Sequence, residues 1–172
     1  GAMNEGVAEI KEYGKNFILV EVSEVRKNQN EPERNVILYC AVLKKENFEL
    51  VVQKATEAGV KEIVPLITAR TIKLDIRKDR LEKIIREAAE QSGRGIVPVL
   101  YEPVNLDKGL ENAKNNALNM FFDGSGESFS SAERLEGKVG IWGGPEGGWD
   151  SREVELAQKS DFKIINLGKL TL

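Results

Sequence analysis

Apolar and polar positions alternate along the first part of the chain, and longer apolar runs replace this alternation after residue 35. Residues 7–27 contain two alternating runs on either side of a turn at 13–16, a pattern that predicts a β-hairpin. Two strands alone are only marginally stable in water, so the hairpin is expected to belong to a larger β unit. The polar, proline-containing residues 28–35 predict a linker.

From residue 35 onward, short apolar runs alternate with segments of helical period. Strands are predicted at 36–42, 62–67, 97–100, 118–122, 139–142 and 162–167. Pro65 in the second of these strands suggests a bend or an edge position.

Helices are predicted between these strands. The first covers 47–58 and stops at Gly59, and the second runs from Asp79 through Gln91. A third begins after Asp150, which is the expected N-cap with Glu153 at position N3. This alternation of strands and helices predicts an α/β fold with a largely parallel sheet.

Composition and residue counts narrow the class. The 172 residues, 41% of them hydrophobic, suffice for one ordinary globular domain plus an appendage. The apolar runs are too short to span a bilayer, and the chain does not open on a signal-like segment. The sequence therefore predicts no membrane association and a cytoplasmic location. Cys40 is the single cysteine in the sequence. It is expected to be a buried core thiol, and a nucleophile is the alternative. With no histidine the usual general base is missing, and no metal site is expected.

Basic residues are concentrated in one segment although the net charge is −3. Arg70 to Arg86 contains seven basic residues against three acidic ones. A polyanion binds where positive charge is concentrated, which makes this segment a candidate RNA-binding surface through Arg70, Lys73, Arg77 and Arg80. A solvated helix face accounts for the same charges, and composition alone leaves both interpretations open.

The stretch "GGPEGGW" (143–149) stands between an apolar run and a helix, and is either a tight turn or a binding loop. It has neither the G-x-G-x-x-G order nor a G-K-[ST] element, and Glu146, Asp150 and Glu153 disfavour a phosphate at the helix start. A neutral or cationic ligand held by backbone groups fits better, as S-adenosylmethionine would. The loops after Phe122, Trp142 and Leu167 are expected to converge into one pocket, because parallel strands end at the same edge.

Four stretches together resemble a known family. They are "ELVVQKATEAGVKEIVPLITART" (49–71), "REAAEQSGRGIVPVL" (86–100), "GGPEGGWDSREVELA" and "IINLGKLTL". In order and content they resemble the RsmE-type enzymes of the SPOUT superfamily, which methylate N3 of a uridine in small-subunit (16S) ribosomal RNA. The resemblance covers about residues 36–172.

This resemblance implies a SPOUT-type parallel sheet with a C-terminal trefoil knot, preceded by a PUA-like β domain. It assigns residues 4–30 to a fragment of that RNA-binding domain and 35–172 to the methyltransferase domain. Family chains continue past "LGKLTL" with an arginine, a glutamate, a threonine and a long knot-closing helix, so the domain is expected to be C-terminally incomplete here. A homodimer formed around the knot is also implied.

The resemblance further implies S-adenosylmethionine as cofactor. One wall of its pocket would be formed by Gly143, Gly144, Pro145, Glu146, Gly147 and Gly148, and another by Leu167, Gly168, Leu170 and Leu172. Arg94 receives a catalytic role, in which its guanidinium stabilises the developing uridine anion; from the residues alone, an arginine beyond a helix end is more simply a cap for carbonyls or a solvated side chain. Alternative functions are methylation of another RNA such as tRNA, or non-catalytic RNA binding in ribosome assembly on the same scaffold.

Overall fold

The first two strands form a separate antiparallel hairpin. The computed structural model describes residues 4–72, 76–129 and 136–168, and it begins with β1 (Asn4–Tyr13) and β2 (Ile18–Lys27). The turn is closed by a 2.8 Å bond from the Gly14 N–H to the carbonyl of Phe17. Ala8 and Ile10 pair with Val22 and Val20, and β2 is exposed along its whole length. The predicted hairpin is confirmed, and its apolar face is uncovered.

The rest of the described chain forms a parallel sheet with helices between the strands. In chain order the elements are β3 (Asn35–Ala41), α1 (Lys45–Glu57), β4 (Glu62–Ile67), α2 (Lys78–Gln91), β5 (Val99–Leu100), β6 (Val104–Asn105), α3 (Leu106–Asn112), β7 (Leu118–Ser128), β8 (Lys138–Gly143), α4 (Ser151–Lys159) and β9 (Lys163–Asn166). The strand order is β5-β4-β3-β8-β7-β9, with β6 also paired to β4. The predicted α/β fold with a largely parallel sheet is confirmed.

Pro65 does not mark an edge or a bend, and that prediction is wrong. It pairs with Cys40 of β3 on one side of β4. On the other side, β5 pairs with β4 at Glu62 and Ile63 and β6 pairs at 66–67. Pro65 therefore lies opposite the interruption between two short strands, where its missing N–H leaves no ladder bond unmade.

Helices cover both faces of the sheet, and the alternation of side chains along β3 separates two cores. Leu38 and Cys40 face a cluster formed with α1 and α2, whereas Ile37 and Tyr39 face a cluster formed with α3 and α4. In the second cluster the rings of Tyr39 and Trp142 stack with centroids 4.1 Å apart. Within the described ranges, no helix is long and apolar enough to cross a membrane.

β7 runs further than the sequence predicted. Phe122 and Glu127 both pair with Ile165 of β9, so residues 123–126 form a bulge beside β9. Gly126 is required there, because a Cβ would lie 2.5 Å from the carbonyl carbon of Ile164. β6 and α3 were not predicted at all.

Candidate functional site

The glycine loop (143–149) leaves the carboxyl edge of the sheet at the end of β8 and leads into α4. Because all strands of the main sheet are parallel, the segments that follow β3, β4 and β7 begin at the same edge. The segments after β3 and β4, and Phe122 within β7, each make a hydrogen bond with the glycine loop or with the first turn of α4. Open α/β sheets bind ligands at this edge.

Glu153 joins the start of α4 to the segment that follows β4. Asp150 is the N-cap, and Glu153 Oε2 accepts a 2.9 Å bond from the Asp150 N–H, as the capping-box pattern predicted. The other oxygen, Oε1, accepts a 2.8 Å bond from the N–H of Ala69. Glu153 is only 7% exposed, and both of these bonds are at least partly shielded from water.

Arg70 reaches from the same segment onto the glycine loop. Its Nη1 donates a 2.6 Å hydrogen bond to the carbonyl of Gly147, and its Nη2 lies 3.9 Å from Oδ2 of Asp150. Half of the Arg70 side chain remains exposed. The structure therefore places this predicted RNA-binding residue directly on the predicted cofactor loop.

Glu146 connects the tip of the glycine loop to the start of α1. Its Oε1 accepts bonds from the Lys44 N–H (3.0 Å) and from Asn47 Nδ2 (3.2 Å). Lys44 is the N-cap residue of α1 and supplies no side-chain cap of its own. The bond from the Lys44 N–H is the main reason why the pKa of Glu146 lies below its ordinary value. This carboxylate therefore caps a helix and neutralises its positive end.

The glycines of the loop differ in what requires them. A Cβ on Gly144 would lie 2.9 Å from the indole nitrogen of Trp149, which donates a 3.0 Å bond to the carbonyl of Phe122. Gly148 has φ +71°, where other residues are strained. By contrast, a Cβ would fit on Gly147, 3.6 Å from Arg70 Cδ, and on Gly143, 3.9 Å from the nearest neighbour. The fold thus explains Gly144 and Gly148 but leaves Gly143 and Gly147 without a structural reason.

The bulge of β7 and the segment after it also contact the end of β9. Asn166 Nδ2 donates a 2.8 Å bond to the carbonyl of Gly124, and the Phe129 N–H donates to the carbonyl of Asn166. Leu167 is 71% exposed, and Gly168 has φ +120° with open space around its Cβ position. Leu170 and Leu172 lie outside the described residues. β7 therefore contacts both the glycine loop, through Trp149, and the end of β9, through Asn166.

The three predicted RNA-binding residues that the structure describes do not form one free basic surface. Arg70 binds the glycine loop, and Arg80 forms a 2.6 Å ion pair with Glu49 of α1. Arg77 is exposed at the N-cap of α2, and Lys73 lies outside the described residues.

Arg94 lies at the opposite edge of the sheet, and the structure contradicts its predicted catalytic role. α2 starts after the carboxyl end of β4 and runs back towards the start of β5, which takes Arg94 away from the glycine loop. Its guanidinium donates to the carbonyls of Thr56 and Val60 at 2.9 and 2.7 Å, and pairs with Glu31. With its side chain only 2% exposed, it has no face left for a uridine. The capping interpretation is the correct one.

Two further features do not compete with the glycine loop. Burial, with a smaller contribution from Glu146, raises the pKa of Cys40 to about 12, so this thiol is not a nucleophile near neutral pH. A groove of about 800 Å³ lies at the amino edge of the sheet. Its charged side chains already have partners, since Glu62 accepts from Tyr101 and Lys138 at 2.9 and 2.8 Å and Glu102 pairs with Lys78. Among the described residues, no acidic or cysteine cluster is placed to hold a metal ion.

Sequence reasoning missed Trp149 and Asn166, which fasten the loops to one another. An indole directly after a glycine run was the available signal, because its N–H needs an acceptor when the ring is buried.

The fold and the loop define an α/β protein whose candidate ligand site lies at the carboxyl edge of a parallel sheet. The sequence model of the RNA methyltransferase domain matches residues 29–172, and the chain belongs to this family. The predicted resemblance is thereby confirmed.

Named relatives and solved structures agree with this family. Ribosomal RNA small subunit methyltransferase E of Mesomycoplasma hyopneumoniae is 35% identical over 88% of this chain and 69% of the relative. The protein of the same name from Rickettsia conorii is 30% identical over 98% and 70%. A Legionella pneumophila protein solved with bound SAM is 31% identical, with TM-score 0.87 over 100% of this chain and 74% of that one. The Neisseria gonorrhoeae methyltransferase E, bound to S-adenosyl methionine, is 27% identical, with TM-score 0.87 over 98% and 72%.

Proposed function

We propose that this chain is an S-adenosylmethionine-dependent ribosomal RNA methyltransferase whose cofactor lies against the main chain of the glycine loop. The observation that carries the proposal is the pair Gly143 and Gly147, which are glycines without a packing or backbone reason. A ligand that approaches the main chain closely supplies that reason. The SAM-bound Legionella and Neisseria structures, which share this fold, support the same assignment.

The charges around the loop suit this cofactor. The carboxylates of Glu146 and Glu153 are occupied by backbone N–H groups, so the loop offers mainly its own polar groups to a ligand. The full proposed pocket is the predicted one, with residues 143–148 as one wall and Leu167, Gly168, Leu170 and Leu172 as the other. Within this proposed pocket, the role of Glu146 is to fix the conformation of the glycine loop.

Methyl transfer from a sulfonium requires alignment more than acid–base help, because the methyl carbon is already activated. In the proposed reaction the uridine N3 proton would pass to solvent, N3 would form a bond to the methyl carbon, and the carbon–sulfur bond would break with its electron pair remaining on sulfur, giving S-adenosylhomocysteine. In this proposal Arg70 replaces Arg94 as the cation near the reacting base. Its half-exposed guanidinium beside Gly147 is placed to stabilise negative charge that develops on the uridine.

The finer features belong to the same proposal. The names of the relatives support small-subunit (16S) ribosomal RNA as the substrate and, with it, a cytoplasmic location. The motif resemblance supports N3 of a uridine as the methylated atom. A C-terminal trefoil knot is supported by the motif resemblance alone. The uncovered apolar face of the hairpin supports a PUA-like domain at 4–30, and the motif resemblance supports a homodimer.

The test is methyl transfer followed by nucleoside mapping. The chain is incubated with SAM and with undermethylated small ribosomal subunits, and digested RNA is analysed by mass spectrometry. We expect 3-methyluridine in small-subunit RNA and none in a parallel reaction with tRNA. Methylation of tRNA alone would identify another substrate, and cofactor binding without any methyl transfer would favour a non-catalytic assembly role.

A further inference from the structure

The linker between the hairpin and the sheet is bonded to the methyltransferase domain along its length. Asn28, only 5% exposed, donates through Nδ2 to Glu5 Oε2 of β1 at 3.0 Å and to the carbonyl of Gly93 at 3.3 Å. Asn30 Nδ2 donates to the same Gly93 carbonyl at 3.0 Å. One turn, at the end of α2, thus holds both the linker and, through Asn28, the first strand of the hairpin.

A buried ion pair continues this contact. Arg94 and Glu31 each have side chains only 2% exposed, with Nη2 and Oε2 3.1 Å apart. Glu31 Oε1 also accepts a 3.0 Å bond from the Ile96 N–H, and Arg94 donates to carbonyls at the end of α1. The guanidinium therefore joins three segments, which are the linker, the end of α1 and the end of α2.

The two turns that contact the linker have glycines at the points where linker side chains pack against them. Gly59, with φ +96°, leaves room for Pro32, whose Cγ would lie 2.2 Å from an added Cβ. Gly93, with φ +68°, likewise leaves room for the amide of Asn30, 2.9 Å from a Cβ. The contact is close-packed on both helix ends, as in a fixed joint between structural units.

We propose that Glu31 and Arg94 are positioning residues that fix the hairpin relative to the methyltransferase domain, and that RNA binding depends on this fixed geometry. The inference rests on the proposed function, in which the unit containing the hairpin contacts RNA. Buried ion pairs are weak evidence for stability, and their best-attested use is to specify one geometry. A large RNA that contacts both units binds more tightly when their spacing is set in advance, because less ordering occurs on binding.

The contact of linker residues 28–32 with the ends of α1 and α2 is called the joint below. Two sets of variants weaken this contact in different ways. Arg94→Lys keeps the charge but loses the fork that reaches Glu31 and the carbonyls together. Asn28→Ala with Asn30→Ala removes the bonds to Gly93 without leaving a buried charge, so it remains informative if Arg94→Lys does not fold. Glu111→Gln, which removes an exposed pair with Lys108 on α3, is the matched control.

The geometry is measured by spin-label distances between Lys15→Cys in the hairpin turn and Glu155→Cys on α4, both exposed. The native Cys40 is buried and remains unlabelled. Affinities for S-adenosylhomocysteine and for purified small ribosomal subunits are measured on the same unlabelled variants.

We expect broader distances in both joint variants and RNA affinity about tenfold weaker, with S-adenosylhomocysteine affinity within about twofold of the unaltered chain. Glu111→Gln should change none of these. Unchanged distances in both joint variants, or broadened distances with unchanged RNA affinity, would overturn the inference. A parallel loss of both affinities would show a merely structural role. If the unaltered chain binds neither ligand, the proposed function fails, while the distances still decide whether the pair fixes the hairpin.

Discussion

A residue whose type suggests a catalytic role can instead hold parts of the structure together, as Arg94 does in this protein. Burial of Glu31 opposes its ionisation, but hydrogen bonds from Arg94 and from the Ile96 N–H outweigh burial and hold its pKa below the ordinary value of 4.5. A carboxyl group whose pKa is lowered by folding stabilises the folded state above its unfolded pKa. That contribution is lost as the pH falls through the folded pKa.

Glu31→Gln should therefore lower the free energy of unfolding at pH 7 by about 3–5 kcal/mol, because it leaves a buried guanidinium without its counter-charge. The difference from the unaltered chain should shrink as the pH falls below 4.5, the ordinary value, and through the lower pKa of folded Glu31. Urea unfolding between pH 7 and pH 3 measures this. A difference that stays constant with pH would show that ionised Glu31 does not stabilise the fold.

At the scale of elements, the start of α4 shows how one buried side chain shapes the site. Glu153 binds two backbone N–H groups, one on its own helix and one on the segment after β4. That segment also supplies Arg70, which holds the carbonyl of Gly147. The shape of the glycine loop therefore depends on Glu153 although Glu153 need not contact a ligand.

Glu153→Ala should lower the free energy of unfolding by about 2–4 kcal/mol, since two N–H groups lose their acceptor. It should also weaken S-adenosylhomocysteine binding, because the segment after β4 is released from the loop. Glu155→Ala, on the exposed side of the same helix, is the control and should change neither. The two variants are compared by urea unfolding and titration calorimetry; equal effects would remove the special role of Glu153.

Local sequence patterns predicted most of the strands and helices. Contacts between residues that are distant in the chain could not be predicted in this way. The capping residues Asp150 and Glu153 could be recognised because they lie three positions apart, and the convergence of loops followed from parallel strands alone. Helix α3 was missed because it is short and contains Gly109, whose missing Cβ makes room for Leu66. The ion pair of Arg94 was missed because Glu31, its partner, is 63 residues away in the chain.

For the whole molecule, the basic segment contributes less free charge than its composition suggested. Arg80 is paired with Glu49, Lys78 with Glu102, and Arg70 is bound to the glycine loop. Arg77 is exposed at the start of α2, near the same edge of the sheet as the glycine loop. Among the described residues of this segment, it is therefore the one best placed to contact RNA without altering the cofactor site.

Arg77→Ala should weaken binding to small ribosomal subunits and reduce the slope of log affinity against log salt concentration by about 0.7 for one lost phosphate contact. Its affinity for S-adenosylhomocysteine should not change. Lys108→Ala, on the opposite face of the sheet, serves as the control for loss of one positive charge. An unchanged salt slope in Arg77→Ala would exclude this residue from the RNA interface.

The central claim is that S-adenosylmethionine lies against the main chain of the glycine loop, and titration calorimetry with S-adenosylhomocysteine on Gly147→Ala tests it most directly. The added Cβ fits the folded protein, 3.6 Å from its nearest neighbour, so the thermal midpoint should stay unchanged. Gly6→Ala in the hairpin, with a tighter 3.3 Å contact, is the matched control. We expect Gly147→Ala to bind about tenfold more weakly, because one extra methyl overpacks a closely fitted ligand, and Gly6→Ala to bind normally. Full affinity in a folded Gly147→Ala would contradict the claim.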